Sequence, residues 1–438
     1  TYRDSLVGFS LRPIWGIEYF INSNETAFHR WGGVEGFGYF SKNLGGWVSL
    51  RDNHENVLLT DASYFNQRLG SPIKGSVKGG VDYSETRGGI MYSWKWGGVG
   101  IIKDQLVWGN SYNGANIFSG RTPSFGQIKL ELKPAKWFEF NYIHGWLVSD
   151  VIDSSRSYWD GDTYREVMHS KFVAANMFTF IPIKHLNISF GNSIVYSDIG
   201  IQAGYLVPIL FYKSVDHTLN STNNYAGQNA QMFFDISSRN IKHLHLFFTL
   251  FVDEFSIDRV SDPERHNFLG YKGGFRLSNW PLSDLSFIGE FTYTLPMTYQ
   301  HRTSTTTFES NSYNMGHYMR DNSMDLYFAL IYKPIRGLRI DLSYAYAVHG
   351  NNYVYGEYEP KDDMAPMLED KTWQKNCIGI KAKYEFFNNA YVFAGVYIND
   401  VQGYDVDDLT SEDYLSMFTP EMYWGNTTTM NLGFNFGF

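Results

Sequence analysis

Along most of this chain the apolar residues recur at every second position. In the closing stretch MNLGFNFGF, Met430, Leu432, Phe434, Phe436 and Phe438 alternate with Asn431, Gly433, Asn435 and Gly437. A helix would repeat its apolar residues at three and four, so a strict period of two predicts a β-strand with one apolar face. In LRIDLSYAYAV, Leu338, Ile340, Leu342, Tyr344, Tyr346 and Val348 oppose Arg339, Asp341, Ser343, Ala345 and Ala347. The period returns in IKLEL, with Ile128, Leu130 and Leu132 against Lys129 and Glu131. It returns again in LSFIGEFTYTL, with Leu285, Phe287, Phe291, Tyr293 and Leu295 against Ser286, Glu290, Thr292 and Thr294.

Extended over the whole chain, the pattern predicts eighteen strands, near 5–21, 28–40, 43–52, 87–96, 97–108, 125–133, 136–149, 170–180, 185–196, 226–237, 243–255, 268–278, 284–300, 323–333, 338–349, 371–384, 389–399 and 429–438. A soluble β-sandwich shows the same alternation, so the period alone does not choose between a protein core and lipid as the apolar partner. The connections do choose. Tight turns at 41–43, 133–136, 181–185, 237–242, 278–284, 333–337 and 386–389 interleave with long loops at 53–86, 109–124, 150–169, 197–225, 301–322, 350–370 and 400–428. Short turns on one rim, long loops on the other and an even strand count are the signature of a bacterial outer-membrane barrel, with both chain ends on the periplasmic side. The expected fold is all-β: one transmembrane antiparallel β-barrel domain over 1–438, in contact with a lipid bilayer and lipopolysaccharide. Within it, 53–86 reads as a long loop with room for a short helix on Val57, Leu58, Leu59 and Tyr64. Trp47, Trp108, Trp137, Trp146 and Trp280 are expected at the interfacial girdles. One strand resists, because Lys103 and Asp104 are adjacent and one of them faces outward unless a bulge intervenes.

Composition agrees. Of 438 residues 43% are hydrophobic and 18% aromatic, yet the mean hydropathy is −0.31. The longest apolar runs, Tyr205 to Tyr212 and Leu246 to Val252, fall far short of the roughly 18–20 residues a membrane-spanning helix needs. The opening TYRDSLVGFSLRP has no basic segment followed by an apolar one, so it reads as the start of a mature or trimmed sequence. The single cysteine, Cys377, excludes internal disulfides and is expected to sit inertly in a strand. A net charge of −9 argues against nucleic acid as a partner.

Motifs for nucleotide binding, nucleophilic hydrolysis or zinc proteolysis are absent from the sequence. His243 and His245 lie two apart on one strand face and could touch one metal ion, but they read rather as rim or lumen residues near a periplasmic turn. The loops are richer. Clustered carboxylates, Glu359, Asp362, Asp363, Glu369 and Asp370, then Asp400, Asp405, Asp407, Asp408, Glu412 and Asp413, could hold Ca²⁺ but lack EF-hand spacing, and solvated loops explain them as well. No cofactor is otherwise expected. Aromatic residues interleave with these polar loops: Trp159, Tyr353, Tyr355, Tyr404 and Trp424 are the candidate sugar-binding residues. A ring beside Asn, Asp or Glu suits a saccharide, whose C–H face stacks while its hydroxyls take hydrogen bonds. Such rings also serve simply to pack loops over a pore.

Two stretches carry a family resemblance. IIKDQLVWGNSYNGANIFSGRTPSFGQIKLELKP (101–134) and GYLVPILFYKSVDHTLNSTNNYAGQNAQMFFDIS (204–237) resemble segments of the Wzi-like capsule assembly proteins. Trp108, Gly109, Tyr205, Pro208, Phe211, Tyr212 and Asn229 fall on that pattern, while WGNS stands where WG-Pro-Gly is usual and Asp216 where Glu is usual. The resemblance implies an outer-membrane lectin that holds capsular or exopolysaccharide at the cell surface without catalysis. Two other readings stay open: a porin or solute channel, since about eighteen strands leave room for an aqueous lumen, and a structural subunit associated with other outer-membrane proteins.

Overall fold

The computed structural model describes residues 2–4, 6–60, 73–77, 79–220, 227–260, 267–355 and 365–437. Eighteen strands form the wall: β1 (Gly8–Ile21), β2 (Thr26–Tyr39), β3 (Leu44–Asn56), β4 (Gly80–Trp94), β5 (Gly97–Asp104), β6 (Phe125–Ala135), β7 (Phe138–Leu147), β8 (Lys171–Ile183), β9 (Leu186–Ser197), β10 (Asn229–Ser238), β11 (Leu244–Glu254), β12 (Phe268–Ser278), β13 (Leu285–Thr294), β14 (Ser323–Tyr332), β15 (Leu338–Gly350), β16 (Lys371–Phe387), β17 (Ala390–Gly403) and β18 (Gly425–Phe436). Each pairs antiparallel with the next, and β1 pairs with β18 from Trp15↔Phe436 to Ile21↔Met430. The sheet therefore closes into a barrel through these eighteen strands. All eighteen expected strands have a counterpart.

The alternation places its apolar set outside. Met430 and Leu432 of β18 are exposed outward while Thr429 and Asn431 are buried inward. Ile101 of β5 and Ile128 of β6 pair on the outer face, and Ile102 and Gln127 pair on the inner one. Outward burial of this kind against hydrocarbon is worth roughly 25 cal/mol per Å² of apolar surface. Phe438 lies outside the described residues.

Several expectations need correction. The loop expected over 53–86 is shorter, because β3 continues to Asn56 and β4 begins at Gly80. There both faces are polar: Asp52, His54, Asp82 and Ser84 point outward, while Asn53, Glu55, Tyr83 and Glu85 point inward. Strands of 13 and 15 residues exceed the roughly 9–11 that a bilayer needs, so their tops carry no apolar period. Among the described residues the expected helix is a 3₁₀ turn at Val57–Leu59, whose Leu58 N–H is accepted by Asn56 Oδ1 at 2.9 Å. Tyr64 lies outside the described residues. Strand β13 stops at Thr294, and Pro296 follows, where a ladder donor would be missing.

Between Lys103 and Asp104 no bulge intervenes. Lys103 faces outward and its ammonium donates to Thr86 O at 2.7 Å and Ser124 Oγ at 2.6 Å, whereas Asp104 turns inward near Arg87. Of the expected girdle tryptophans, Trp137, Trp146 and Trp280 are exposed on the outside. Trp47 instead faces the lumen opposite Phe37, because it shares the inward parity of Ser49 and Arg51. Trp108 is buried inside the barrel, since β5 ends before it and the chain turns inward.

Candidate functional site

The loop from Gln105 to Ser124 enters the barrel and is knitted to strands far away in sequence. Asn110 donates from its backbone and from Nδ2 to the two oxygens of Asp235 on β10, at 3.1 and 2.6 Å. The backbone N–H groups of Tyr112 and Asn113 donate to the two carboxylate oxygens of Glu290 on β13. Glu290 also faces Lys272 of β12 at 3.2 Å, with both side chains almost fully buried. Asn113 Nδ2 donates to Asp325 Oδ2 at 3.0 Å, and Tyr112 OH meets His245 Nδ1 at 2.7 Å. His245 is thus a lumen residue that orients the plug; His243 sits at the turn, bonded to Ser278 O. Gly109 and Gly114 adopt φ of +94° and +104°, and a Cβ at Gly114 would meet the Tyr318 ring at 2.9 Å.

Apolar packing completes the plug. Leu106, Trp108, Ile117 and Phe118 join Ile143, Val173, Val195, Phe233 and Phe251 of the inner wall in one buried cluster. Tyr299, Phe308 and Met315 of loop 295–322 close it, and Tyr299 OH donates to Asn116 O at 2.8 Å. The interior on the β6–β13 side is therefore a protein core. On the opposite side a cavity of about 480 Å³ remains, bounded by Glu18, Tyr112, Tyr327, Arg339, Asp341, Lys375, Lys381, Tyr397 and Tyr423. Arg339 and Asp341 pair at 2.8 Å, so these two lumen charges neutralise each other. Cys377 also lines this cavity, half-buried on β16.

The candidate sugar-binding aromatics are dispersed over three loops. Trp159 sits on a small hairpin, Tyr158–Asp160 paired with Thr163–Arg165, and is 68% exposed, its indole 5.3 Å from the Tyr164 ring. Below the hairpin, Asp153 accepts from Ser155 Oγ and from Arg156 Nε, which together hold its carboxyl well below the usual range. Tyr353 is buried and donates to Pro366 O and Glu369 Oε2, while Tyr355 donates to Glu254 Oε2 at 2.8 Å. Tyr353 thus ties together the two described ends of the loop, and Tyr355 ties its first end to β11. Tyr404 and Trp424 are half-buried at the two ends of loop 404–424; Lys371 Nζ lies 5.0 Å from the Tyr404 ring, and Trp424 Nε1 donates to Thr419 O. Between them helix α1 (Ser411–Phe418) is held by a capping box between Thr410 and Asp413. The loop carboxylates are engaged locally: Asp400 accepts from Gln402, and Asp405 from Ser411 N. Glu359, Asp362 and Asp363 lie outside the described residues, among which no three His, Cys, Asp or Glu side chains converge on one point.

The resemblance-bearing residues are structural in their contacts. Trp108 meets Phe118 and Phe233 edge-on in the plug. Tyr205 and Tyr212 are fully buried, Pro208 O accepts from Asn176 Nδ2, and Phe211 is 47% exposed. Asp216 accepts from Tyr205 OH and Gln228 N, and Asn229 Nδ2 donates to Thr306 O. Glu290 stands on the polar face that its strand's alternation predicts, whereas the sequence pattern does not single out Lys272, Asp235 and Asp325. Their signal was a lone charge embedded in an aromatic strand, as in FIGEFTY.

Loop 295–322 is expected to respond to pH through its buried histidines. His301 Nδ1 accepts from Thr303 N at 3.2 Å and meets Thr306 Oγ1 at 2.7 Å, and burial pushes its pKa down to about 4. Burial also holds His317 well below its ordinary value, while it raises Asp321. A depressed histidine stabilises the fold fully above its ordinary value of 6.5, and that stability is lost as pH falls towards 4. Amide protection factors of 301–318, corrected for the intrinsic pH dependence of exchange, should therefore fall by up to about tenfold per unit below pH 6, with those of β11 unchanged. His301→Gln should remove part of that slope, and an unchanged slope would refute the assignment.

The family model of capsule assembly protein Wzi matches residues 92–414. No curated protein matches the chain. Among solved structures, the Escherichia coli Wzi protein, described as an outer-membrane carbohydrate-binding β-barrel involved in group 1 capsule assembly, superposes with a TM-score of 0.56 at 10% identity, covering 97% of this chain and 84% of that one. Acinetobacter baumannii OccAB2 gives 0.53 at 11%, covering 99% of each chain. Pseudomonas aeruginosa OccK8 gives 0.51 at 10%, covering 98% and 97%.

Proposed function

Because the chain belongs to the Wzi family of capsule assembly proteins, and so to the outer membrane, we propose that it binds capsular or exopolysaccharide at its long-loop rim and holds it on the cell surface without catalysis. In this reading the termini and short turns face the periplasm, and the outer wall meets lipopolysaccharide. The observation that carries it is the pairing of a plugged lumen with exposed aromatics on the rim. Loop 105–124 is fastened to Asp235, Glu290 and Asp325 across the interior, which disfavours solute passage. Tyr158, Trp159 and Tyr164 are exposed beside Asp160 and Asp162, which suits stacking on a sugar with hydrogen bonds to its hydroxyls. Tyr404 and Trp424 extend the contact on loop 404–424, and Tyr353 and Tyr355 hold loop 351–370 in place for it. The E. coli neighbour's carbohydrate binding supports the same reading. No cofactor takes part; calcium bridging by the acidic loops would be an addition to it.

The test is gene deletion followed by measurement of cell-bound and shed polysaccharide. Shedding with total synthesis unchanged is expected. Complementation with Trp159→Ala should weaken binding of the purified protein to capsule fragments about tenfold, the scale of one lost stacking contact of about 1.4 kcal/mol. Unchanged attachment would overturn the reading. Steady single-channel conductance would then favour a solute channel, and a stable co-purifying protein would favour a structural subunit.

A further inference from the structure

Segment 199–220 lies against the outside of the barrel wall. Register fixes the face: outward Ile101 pairs with Ile128, which pairs with His144, and the neighbouring outward row runs Leu130, Tyr142, Asn176, Asn192, Met232. At both ends this row is apolar, and Met232 is exposed. In the middle stand a tyrosine and two asparagines, on a face that would otherwise meet hydrocarbon.

The segment satisfies them. Asn176 Nδ2 donates to Pro208 O and Leu210 O at 2.8 and 2.9 Å, and Asn192 Oδ1 accepts from Tyr212 N at 2.9 Å. Tyr142 OH donates to Tyr205 O at 3.0 Å, and the Tyr205 ring lies 4.7 Å from that of Tyr196. Pro208, whose carbonyl Asn176 meets, has no N–H to satisfy. The chain then continues as a helix, Tyr212–Asn220. Asn176 lies five residues below the Lys171 end of β8. With about 3.3 Å of rise per residue and a strand tilt near 40°, that is about 12 Å below the rim, inside an apolar band about 25 Å tall.

The free face of the segment is apolar: Leu206, Val207, Ile209 and Phe211 are 41–68% exposed. It is continuous with the bare wall below it, where Phe190 and Ile183 are also exposed. We propose that residues 199–211 form a strap immersed in the leaflet on the long-loop side, with Leu206, Val207, Ile209 and Phe211 in contact with lipid acyl chains. Backbone that is neither helix nor barrel strand is tolerated in hydrocarbon only where its polar groups find partners, and the two asparagines on the wall provide them. The strap depends on outer-membrane residence and not on polysaccharide binding.

The test places a nitroxide at Ile209→Cys in a Cys377→Ser background, with the full chain in phosphatidylcholine vesicles. Collision rates with oxygen and with a water-soluble nickel chelate are compared with labels at Leu432→Cys on the wall and Trp159→Cys on the rim. The expected result is the oxygen-rich, nickel-poor signature of Leu432→Cys. A nickel-rich signature like that of Trp159→Cys would overturn the proposal by placing the strap in water. A label shielded from both reagents would overturn it in favour of a protein neighbour, a second copy of the chain included.

Discussion

Replacing Glu290 by alanine should unfasten the plug and cost about 3–5 kcal/mol, the penalty for breaking a buried pair by removing one partner. Glu290 neutralises Lys272 at 3.2 Å and receives the backbone N–H groups of Tyr112 and Asn113. The variant leaves a buried ammonium and two orphaned donors. Heat-modifiable migration should shift to lower temperature, and planar-bilayer recordings should pass from a closed baseline to intermittent opening. Adding Lys272→Met should recover the part of the loss that comes from the stranded charge. It should not silence the openings, because the loop's N–H groups would still lack their acceptor. Closed recordings from Glu290→Ala would show that the apolar contacts hold the plug unaided.

Trp108→Ala should cost a comparable 3–5 kcal/mol through cavity formation. The indole packs edge-on against Phe118 and Phe233 in a cluster that joins the loop to the inner wall. The electrostatic fastening at Glu290 would survive, so this variant should lower stability with little conductance. The two substitutions therefore separate the seal from the packing. Equal conductance from both would mean that the plug behaves as one cooperative body.

The barrel was legible in the sequence because hydrocarbon imposes a strict alternation on every residue that meets it. Eighteen strands were readable for that reason, and closure through β1 and β18 followed from their even number. Where the wall rises clear of lipid the signal vanished, so the tops of β3 and β4 read as loop. The interior was illegible for a different reason. Trp108 reads as the end of a strand and Tyr205 as part of an apolar run, and nothing local says that one turns into the lumen while the other lies on the outer wall. Only long-range pairing decides that. Exposed Trp159 and buried Tyr353 likewise stand in similar polar, aromatic surroundings in the sequence, and their fates differ through Glu369 and Pro366.

The plug has a consequence for biogenesis. Its loop leaves β5 early, yet its partners come much later: Asn110 waits 125 residues for Asp235, and Asn113 waits 212 for Asp325. Contacts of such separation form late, after the entropy of long closures has been met. The seal is therefore set only when β10 to β14 are in the membrane, so a stalled intermediate is an open hole and a finished molecule is tight. Leakage of small dyes during insertion would time the arrival of those strands, making the loop a built-in clock for assembly.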